Sequence, residues 1–293
     1  MEIKERKYLF VVNPIAGGKD KDKLPAQINK FCDVAQCNYR LFHTTGKDDL
    51  SKIKQIYNVF SPDAVIAIGG DGTVNLVGNL LLNTGVPMGI IPLGSGNGLA
   101  KDLGLPIDIV EAFDVIHRFE YKYIDTLNFN GRLCFHLCDL GFNARIVHKF
   151  AKSLIRGKFS YIWYGLKEFF TYKSFPYKIK SRIGDYEGHA FMMIISNANK
   201  FGTNVAINPL GEIDDGWFEV SIIKPFSKWA VPYIFYHLMR DTIYRTSYYK
   251  IIRSRKVVID NKSGELSHID GEPVETSERI VVEVVPHSLK VLM

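Results

Sequence analysis

Cysteine is scarce in this 293-residue chain: Cys32, Cys37, Cys134 and Cys138 are the only four. That excludes a disulfide framework at this length. Neither pair has the two-residue spacing of common zinc sites, and His136 is their only close histidine, so they read as reduced cytosolic thiols. An excess of one charge is nearly absent too, with 37 Lys plus Arg against 31 Asp plus Glu leaving +6. Such a balance suits a nucleotide or an anionic lipid surface and is too weak for duplex DNA, so no nucleic-acid partner is expected. Long apolar runs are missing as well. Ala190–Ile195 and Trp229–Met239 fall short of a membrane span, and Pro232 interrupts the second. The opening MEIKERKYLF is charged where a secretory signal would be apolar. A cytoplasmic protein, soluble or peripheral to a membrane, is the expectation.

What is present is patterning. Hydrophobic residues make up 46% of the chain and charged residues 23%, enough to build packed cores. Residues 1–125 alternate strand and helix signals: strands at Tyr8–Val12, Asn38–His43, Ala64–Ile68 and Gly89–Pro92, and helices at Leu24–Phe31, Asp49–Phe60 and Thr73–Leu82. This is the signature of a parallel sheet covered by helices. Past residue 125 strands dominate, at Ile124–Phe129, Arg132–Asp139, Tyr177–Ile183, His189–Ser196, Trp217–Ile223, Ser254–Asp260, Ser267–Asp270 and Arg279–Val285. Turn residues between them favour an antiparallel sandwich or barrel. Helical insertions are expected at Ala144–Tyr172 and Ser227–Ile243.

Three glycine-rich loops follow the early strands: Asn13-Pro14-Ile-Ala-Gly17-Gly18-Lys19, Gly69-Gly70-Asp71-Gly72-Thr73, and Leu93-Gly94-Ser95-Gly96-Asn97-Gly98. Parallel strands bring such loops to one sheet edge, where ligands of open α/β sheets bind. A strand running through glycines into a helix offers backbone N–H groups and a helix N-terminus to phosphate. Taken alone, the Gly69–Thr73 run fits equally a tight turn with Asp71 or Thr73 capping the next helix. Neither a Walker A pattern nor GxGxxG occurs, so a nucleotide would be held by backbone amides and by Asn13, Thr45, Asn75 and Ser95.

Asn13-Pro-x-x-Gly-Gly, Gly69-Gly-Asp-Gly-Thr73 with Asn75, and Pro92-Leu-Gly-Ser-Gly-Asn97 together resemble the diacylglycerol and sphingoid lipid kinase family. Gly141-Phe-Asn-Ala144, Asn208-Pro209 with Ile213-Asp-Asp-Gly216, and Asp270-Gly-Glu272-Pro continue the match in order along the chain. The resemblance implies an NAD-kinase-like α/β nucleotide-binding domain over 1–125, joined by 286–293, and a β-sandwich domain over 126–285. It implies an ATP- and Mg²⁺-dependent transfer of phosphate to a lipid hydroxyl in phospholipid metabolism. Nucleotide contacts would fall on Asn13, Pro14, Gly17, Gly18, Thr45, Gly69 through Thr73, Asn75, Ser95, Asn97 and Asp125. Glu272 would accept the proton, with Asp270 and Asp71 on the metal or phosphate side. A structural Mg²⁺ would use Asp215 with backbone carbonyls near Glu212 and Trp217.

Ser95 and Gly98 lean toward the sphingoid-base branch, whereas Arg145 would repel an ammonium head group. A diacylglycerol-like acceptor is the expectation, with sphingoid-base kinase and NAD kinase as alternatives. The Asn-Glu pair usual in NAD kinases does not occur. The stretch Val147–Tyr172 interleaves Lys149, Lys152, Arg156, Lys158 and Lys167 with Phe150, Leu154, Ile155, Phe159, Trp163, Leu166, Phe169 and Phe170. That mixture suits an anionic membrane interface and equally a helix packed on the sandwich. Ser227–Ile243 reads as core or as the contact of a homodimer.

Overall fold

The computed structural model describes residues 5–16, 23–152, 158–198, 200–201 and 205–293, without the side chains of 158–162, 200–201 and 205–206. Gly17, Gly18, Lys19 and Leu154–Arg156, and the side chains of Lys158 and Phe159, lie outside the described residues. The chain divides into two compact units, 1–124 with 287–293, and 125–286.

The first unit runs β1 (Lys7–Val12), α1 (Leu24–Ala35), β2 (Asn38–His43), α2 (Asp49–Phe60), β3 (Ala64–Gly69), α3 (Asp71–Leu81), β4 (Met88–Pro92), α4 (Gly98–Asp102) and α5 (Ile109–Arg118). The strands lie in the order β2-β1-β3-β4, all parallel. Strand β3, AVIAIG, is buried at every residue and β4 likewise, as inner strands covered on both faces must be. Edge strand β2 alternates Tyr39, Leu41 and His43 with Asn38 and Arg40 and is largely exposed. Apolar positions 109, 112, 113 and 116 of α5 fall on one face and are buried, and the Asp108 side chain caps the helix by accepting from the N–H groups of Val110 and Glu111. Phe31 of α1 stacks on Phe113 of α5, with centroids 5.0 Å apart, over Tyr8 and Phe10 of the sheet.

The second unit holds β5 (Tyr121–Phe129, from its Asp125), β6 (Arg132–Cys134), β7 (Leu137–Gly141), α6 (Phe142–Ala151), α7 (Lys158–Thr171), β8 (Phe175–Ser181), β9 (Gly184–Ala190), β10 (Met192–Ser196), the short β11 (Lys200–Phe201) and β12 (Val205–Ala206), and β13 (Phe218–Ile223). A 3₁₀ turn at Lys228–Ala230 leads into α8 (Val231–Met239). There follow β14 (Tyr249–Ser254), β15 (Lys256–Asp260), β16 (Ser267–Ile269), β17 (Glu272–Val274) and the start of β18 (Arg279–Leu292). One antiparallel sheet is ordered β14-β13-β10-β7-β16-β17; in the other, β18 pairs with β15, β15 with β8 and β8 with β9. Leu140, Met193, Phe218 and Val220 of the first sheet share one core with Tyr177, Ile179, Val257 and Val282 of the second. This is the α/β plus antiparallel β arrangement expected from the sequence.

Local departures have local causes. The single strand expected at Arg132–Asp139 breaks at Phe135-His136, because the N–H groups of residues 135, 136 and 137 turn onto the Asp270 carboxylate. The one expected at Ser254–Asp260 breaks at Arg255, where Ser254 Oγ bonds both backbone groups of Lys256. His189–Ser196 divides at Phe191, whose N–H donates to Ile223 and whose carbonyl accepts from Phe142.

Candidate functional site

In the first unit, register alone gathers the motif loops. Val12 lies opposite His43 and Ile68, and Gly69 opposite Pro92, so the segments leaving β1, β2, β3 and β4 share one carboxyl edge. Backbone bonds hold them side by side: Asn13 N–H to Ile68 (2.9 Å), Thr44 N–H to Val12 (2.9 Å) and Leu93 N–H to Gly69 (2.8 Å). The Asn13 side chain closes its own turn by accepting from Ile15 N–H, which leaves Pro14 and Ile15 outside.

The β3 and β4 loops touch backbone to backbone. A Cβ on Gly94 would sit 2.4 Å from the Gly70 Cα, and one on Gly96 would sit 2.5 Å from Asp71 Oδ2. Contact of this kind explains these glycines by packing as much as by access for a ligand. The Asp71 carboxylate then bridges the loops, accepting from Asn97 N–H (2.9 Å) and Gly98 N–H (2.6 Å). Asn97 stands at φ 53° and grips Gly94 through both its N–H and its carbonyl. Asp71 is therefore first a bracket between loops. Helix α3 has Gly70 as its cap residue and no side-chain cap; Thr73 N–H and Val74 N–H turn back on the Gly70 carbonyl, and the helix N-terminus points to this edge beside exposed Gly72. Thr73 is buried, Asn75 half-buried and Ser95 exposed.

The loop after β2 carries a residue that sequence reasoning passed over. Asp49, at the start of α2, accepts from the N–H groups of Thr45 and Gly46 and from Thr45 Oγ1 (2.8 Å). Burial pulls its pKa upward, but the hydrogen bonds from Thr45 and Gly46 and the Lys52 charge outweigh that and leave it lowered. The Thr45 hydroxyl is thus oriented by Asp49. A Thr-Gly dipeptide three residues ahead of a helical aspartate was the available signal.

In the second unit the motif carboxylates mostly hold backbone. Buried Asp125 accepts from Gly216 N–H (2.6 Å), and its own N–H donates to Ile213, so it ties down the 213–216 turn. Asn208 donates to Ser196, Ala198 and buried Glu219. Asp215 accepts from Trp217 N–H (2.8 Å) and is ion-paired with Arg253, whose Nε lies 3.2 Å from Glu219. Glu212 is exposed. A guanidinium thus sits on the carboxylate that the resemblance gives to Mg²⁺, and no group of three or more His, Cys, Asp or Glu among the described residues could hold a metal ion. Asp215 as arranged is engaged by Arg253 and by Trp217 N–H, and Glu212 stands exposed.

Asp270 and Gly271, at φ 49° and 85°, form the two-residue turn of the β16–β17 hairpin, with Ile269 opposite Glu272. The Asp270 carboxylate accepts from Phe135, His136 and Leu137 N–H at 2.9, 2.9 and 3.1 Å. Glu272, two residues on, is exposed and makes no side-chain hydrogen bond or ion pair among the described residues. Arg145 does not stand as the free charge expected of it: it pairs with Glu168 at 3.3 Å and lies over the Tyr172 ring.

The family described as diacylglycerol kinase catalytic domain matches residues 7–129, and that described as YegS C-terminal NAD kinase beta sandwich-like domain matches 138–293. A protein of Chromohalobacter salexigens named probable lipid kinase YegS-like is 32% identical over 56% of this chain and 54% of its own length. The chain thus spans about half the length of that relative. Lipid kinase YegS of Escherichia coli K12 is 29% identical over 71% of this chain and 72% of its own. A crystal structure of a diacylglycerol kinase from Bacillus anthracis has the same fold, with TM-score 0.75 at 20% identity over 99% of this chain and 97% of that one.

Proposed function

Because this chain belongs to the lipid kinase family of the diacylglycerol kinase catalytic and YegS C-terminal domains, we propose that it transfers the γ-phosphate of ATP to a hydroxyl of a diacylglycerol-like membrane lipid. The observation that carries this reading is the meeting of four strand-end loops at one edge beside the uncapped start of α3. Amides at that edge, with Asn13, Pro14, Thr45, Gly69 to Thr73, Asn75, Ser95 and Asn97, cradle the triphosphate, and ATP enters as its Mg²⁺ complex. Asp71 keeps the two glycine loops in register for it. The lipid hydroxyl oxygen attacks the γ-phosphorus, the bond to the β-γ bridging oxygen breaks, and ADP departs. Glu272 takes the hydroxyl proton; its lack of a competing partner supports that role. No step runs through Asp215, and Asp125 and Asp270 act by holding backbone.

The lipid is reached at an anionic bilayer. On α7, Trp163, Leu166 and Phe170 are exposed at helical spacing, and beside its C-terminal end Trp229 is 93% exposed, with Phe235 and Tyr236 of α8 also outside. Lys228 donates to the Phe170 carbonyl at 3.3 Å, which places the two segments together, and Lys167, Lys173 and Arg240 add positive charge. Trp229 is therefore no core residue. Trp229→Ala is expected to weaken cosedimentation with phosphatidylglycerol vesicles several-fold at unchanged sedimentation velocity; a change of oligomeric state instead would assign the patch to a second copy.

Radiolabelled ATP offered with diacylglycerol, monoacylglycerol, sphingoid base, ceramide and NAD tests the reaction. Label in diacylglycerol is expected. With Arg145 paired to Glu168, sphingoid base remains the second reading, and label in NAD alone would overturn both.

A further inference from the structure

Beneath the Asp270-Gly271-Glu272 hairpin lies a buried polar triad that nothing above uses. His268 is 2% exposed, Asp139 fully buried and Asn143 nearly so. His268 Nε2 lies 3.0 Å from Asp139 Oδ2, and Asn143 Nδ2 donates to that same oxygen. On the other side of the ring, Gly271 N–H donates to His268 Nδ1 at 3.3 Å. Nδ1 thus accepts from the turn, while Nε2 faces both other members of the triad, with Asp139 Oδ2 at 3.0 Å and Asn143 Nδ2 at 2.9 Å. Asp139 Oδ1 is buried with no hydrogen-bond partner among the described residues. A buried carboxylate left half satisfied is costly, and apolar residues would fill a sandwich core at less expense.

The N–H that this histidine grips belongs to the Asp270–Gly271 peptide at the centre of the turn, with only Gly271 between it and Glu272. In a two-residue hairpin the N–H of the second turn residue falls outside the strand ladder, so its orientation is open unless something else takes it. The Asp270 carboxylate anchors one side of the turn through the 135–137 amides, and the imidazole anchors the other. Between them Glu272 is left without a side-chain partner, on a backbone held from both sides. We propose that His268, locked by Asp139 and Asn143, is a positioning residue for Glu272: its Nδ1 holds the Asp270–Gly271 peptide, which fixes the turn and thereby the direction in which the Glu272 carboxylate leaves the hairpin. This rests on Glu272 as the proton acceptor proposed above.

Asparagine places Oδ1 where histidine has Nδ1, and glutamine reaches the place of Nε2, so two substitutions separate the two sides of the ring. In full-length protein, His268→Asn is expected to keep kcat within about threefold, since Gly271 still finds an acceptor. His268→Gln is expected to lose about tenfold or more in kcat with KM for ATP and lipid unchanged; this loss is the scale of one displaced catalytic group. Both variants lose the fit of the ring and should melt at similarly lowered temperatures. Equal kcat in the two variants, or losses that simply follow the melting temperature, would overturn the inference. Should neither variant fold, the Gly271 amide of the wild type decides: slow hydrogen exchange is expected, and free exchange overturns it. Glu272→Gln is the control for the parent reading. Full activity there removes Glu272 from the chemistry whatever His268 does, whereas an inactive Glu272→Gln beside indistinguishable His268 variants refutes only the positioning role.

Discussion

Asp71 and Asp270 each stand directly before a glycine, and each spends its carboxylate on the backbone of a distant loop. Asp71 does so in the α/β unit, reaching amides 26 and 27 residues away across a contact between two glycine loops. Asp270 does so in the β unit, reaching three amides 133 to 135 residues away. In the first case the loops are already pressed together by backbone packing, and the carboxylate reinforces a contact that glycine permits. In the second, the joint continues the β7–β16 pairing: Asp270 N–H donates to the Leu137 carbonyl at 2.9 Å, and the carboxylate adds three amides to that one backbone bond. Motif aspartates at these two turns are brackets, and beside the second of them Glu272 has no side-chain hydrogen bond or ion pair among the described residues.

That contrast can be broken experimentally. Glu272→Gln should lower kcat by about 10²- to 10⁴-fold, the usual worth of a general base, with an unchanged melting temperature. A comparable loss from Asp270→Ala at full stability would erase the distinction between bracket and acid. Asp270→Ala should instead cost about 3 kcal/mol or more in urea unfolding, because three amides lose a charged acceptor, while Asp71→Ala, with two amides and a packed glycine contact behind it, should cost about 2 kcal/mol. Reversal of that order would mean that the glycine contact is the weaker joint.

The smallest effect is one of pH. Burial raises the pKa of Glu219 above 4.5, against the lowering pull of Asn208 and Arg253. A group raised in the folded state stabilises fully below its unfolded value and loses that contribution as pH rises through the folded one. Wild type should therefore lose stability relative to Glu219→Gln as pH climbs from 4.5 toward neutrality, measured by urea unfolding at each pH. A constant difference between the two would place the Glu219 charge in balance with Arg253.

What was legible in the sequence follows the range of the interactions. Strand β3 and its Gly-Gly-Asp-Gly turn are a contiguous signal, because a buried parallel strand and a close loop write themselves into neighbouring residues. Helix α2 was found at its observed bounds from apolar spacing alone. The roles of Asp125, Asp139 and His268 were not legible. Asp125 meets Gly216 across 91 positions, and His268 meets Asp139 through the pairing of β16 with β7. Strand pairing brings such residues together, and no local pattern records it. The exposure of Trp229 was not legible for a related reason: an aromatic helix looks the same in sequence whether a core, a second copy or water lies against it.

The near contact of Gly70 with Gly94 bears on how this edge can be redesigned. A methyl group on Gly94 would sit 2.4 Å from the Gly70 Cα and cannot fit while Gly70 keeps its place, and one on Gly70 would press on Gly94 at 3.1 Å, so the two loops form a single interlocked tile. Libraries that diversify one loop at a time will sample mostly collapsed variants; grafting both together, with Asp71 and Asn97 included, is the exchange that preserves the joint.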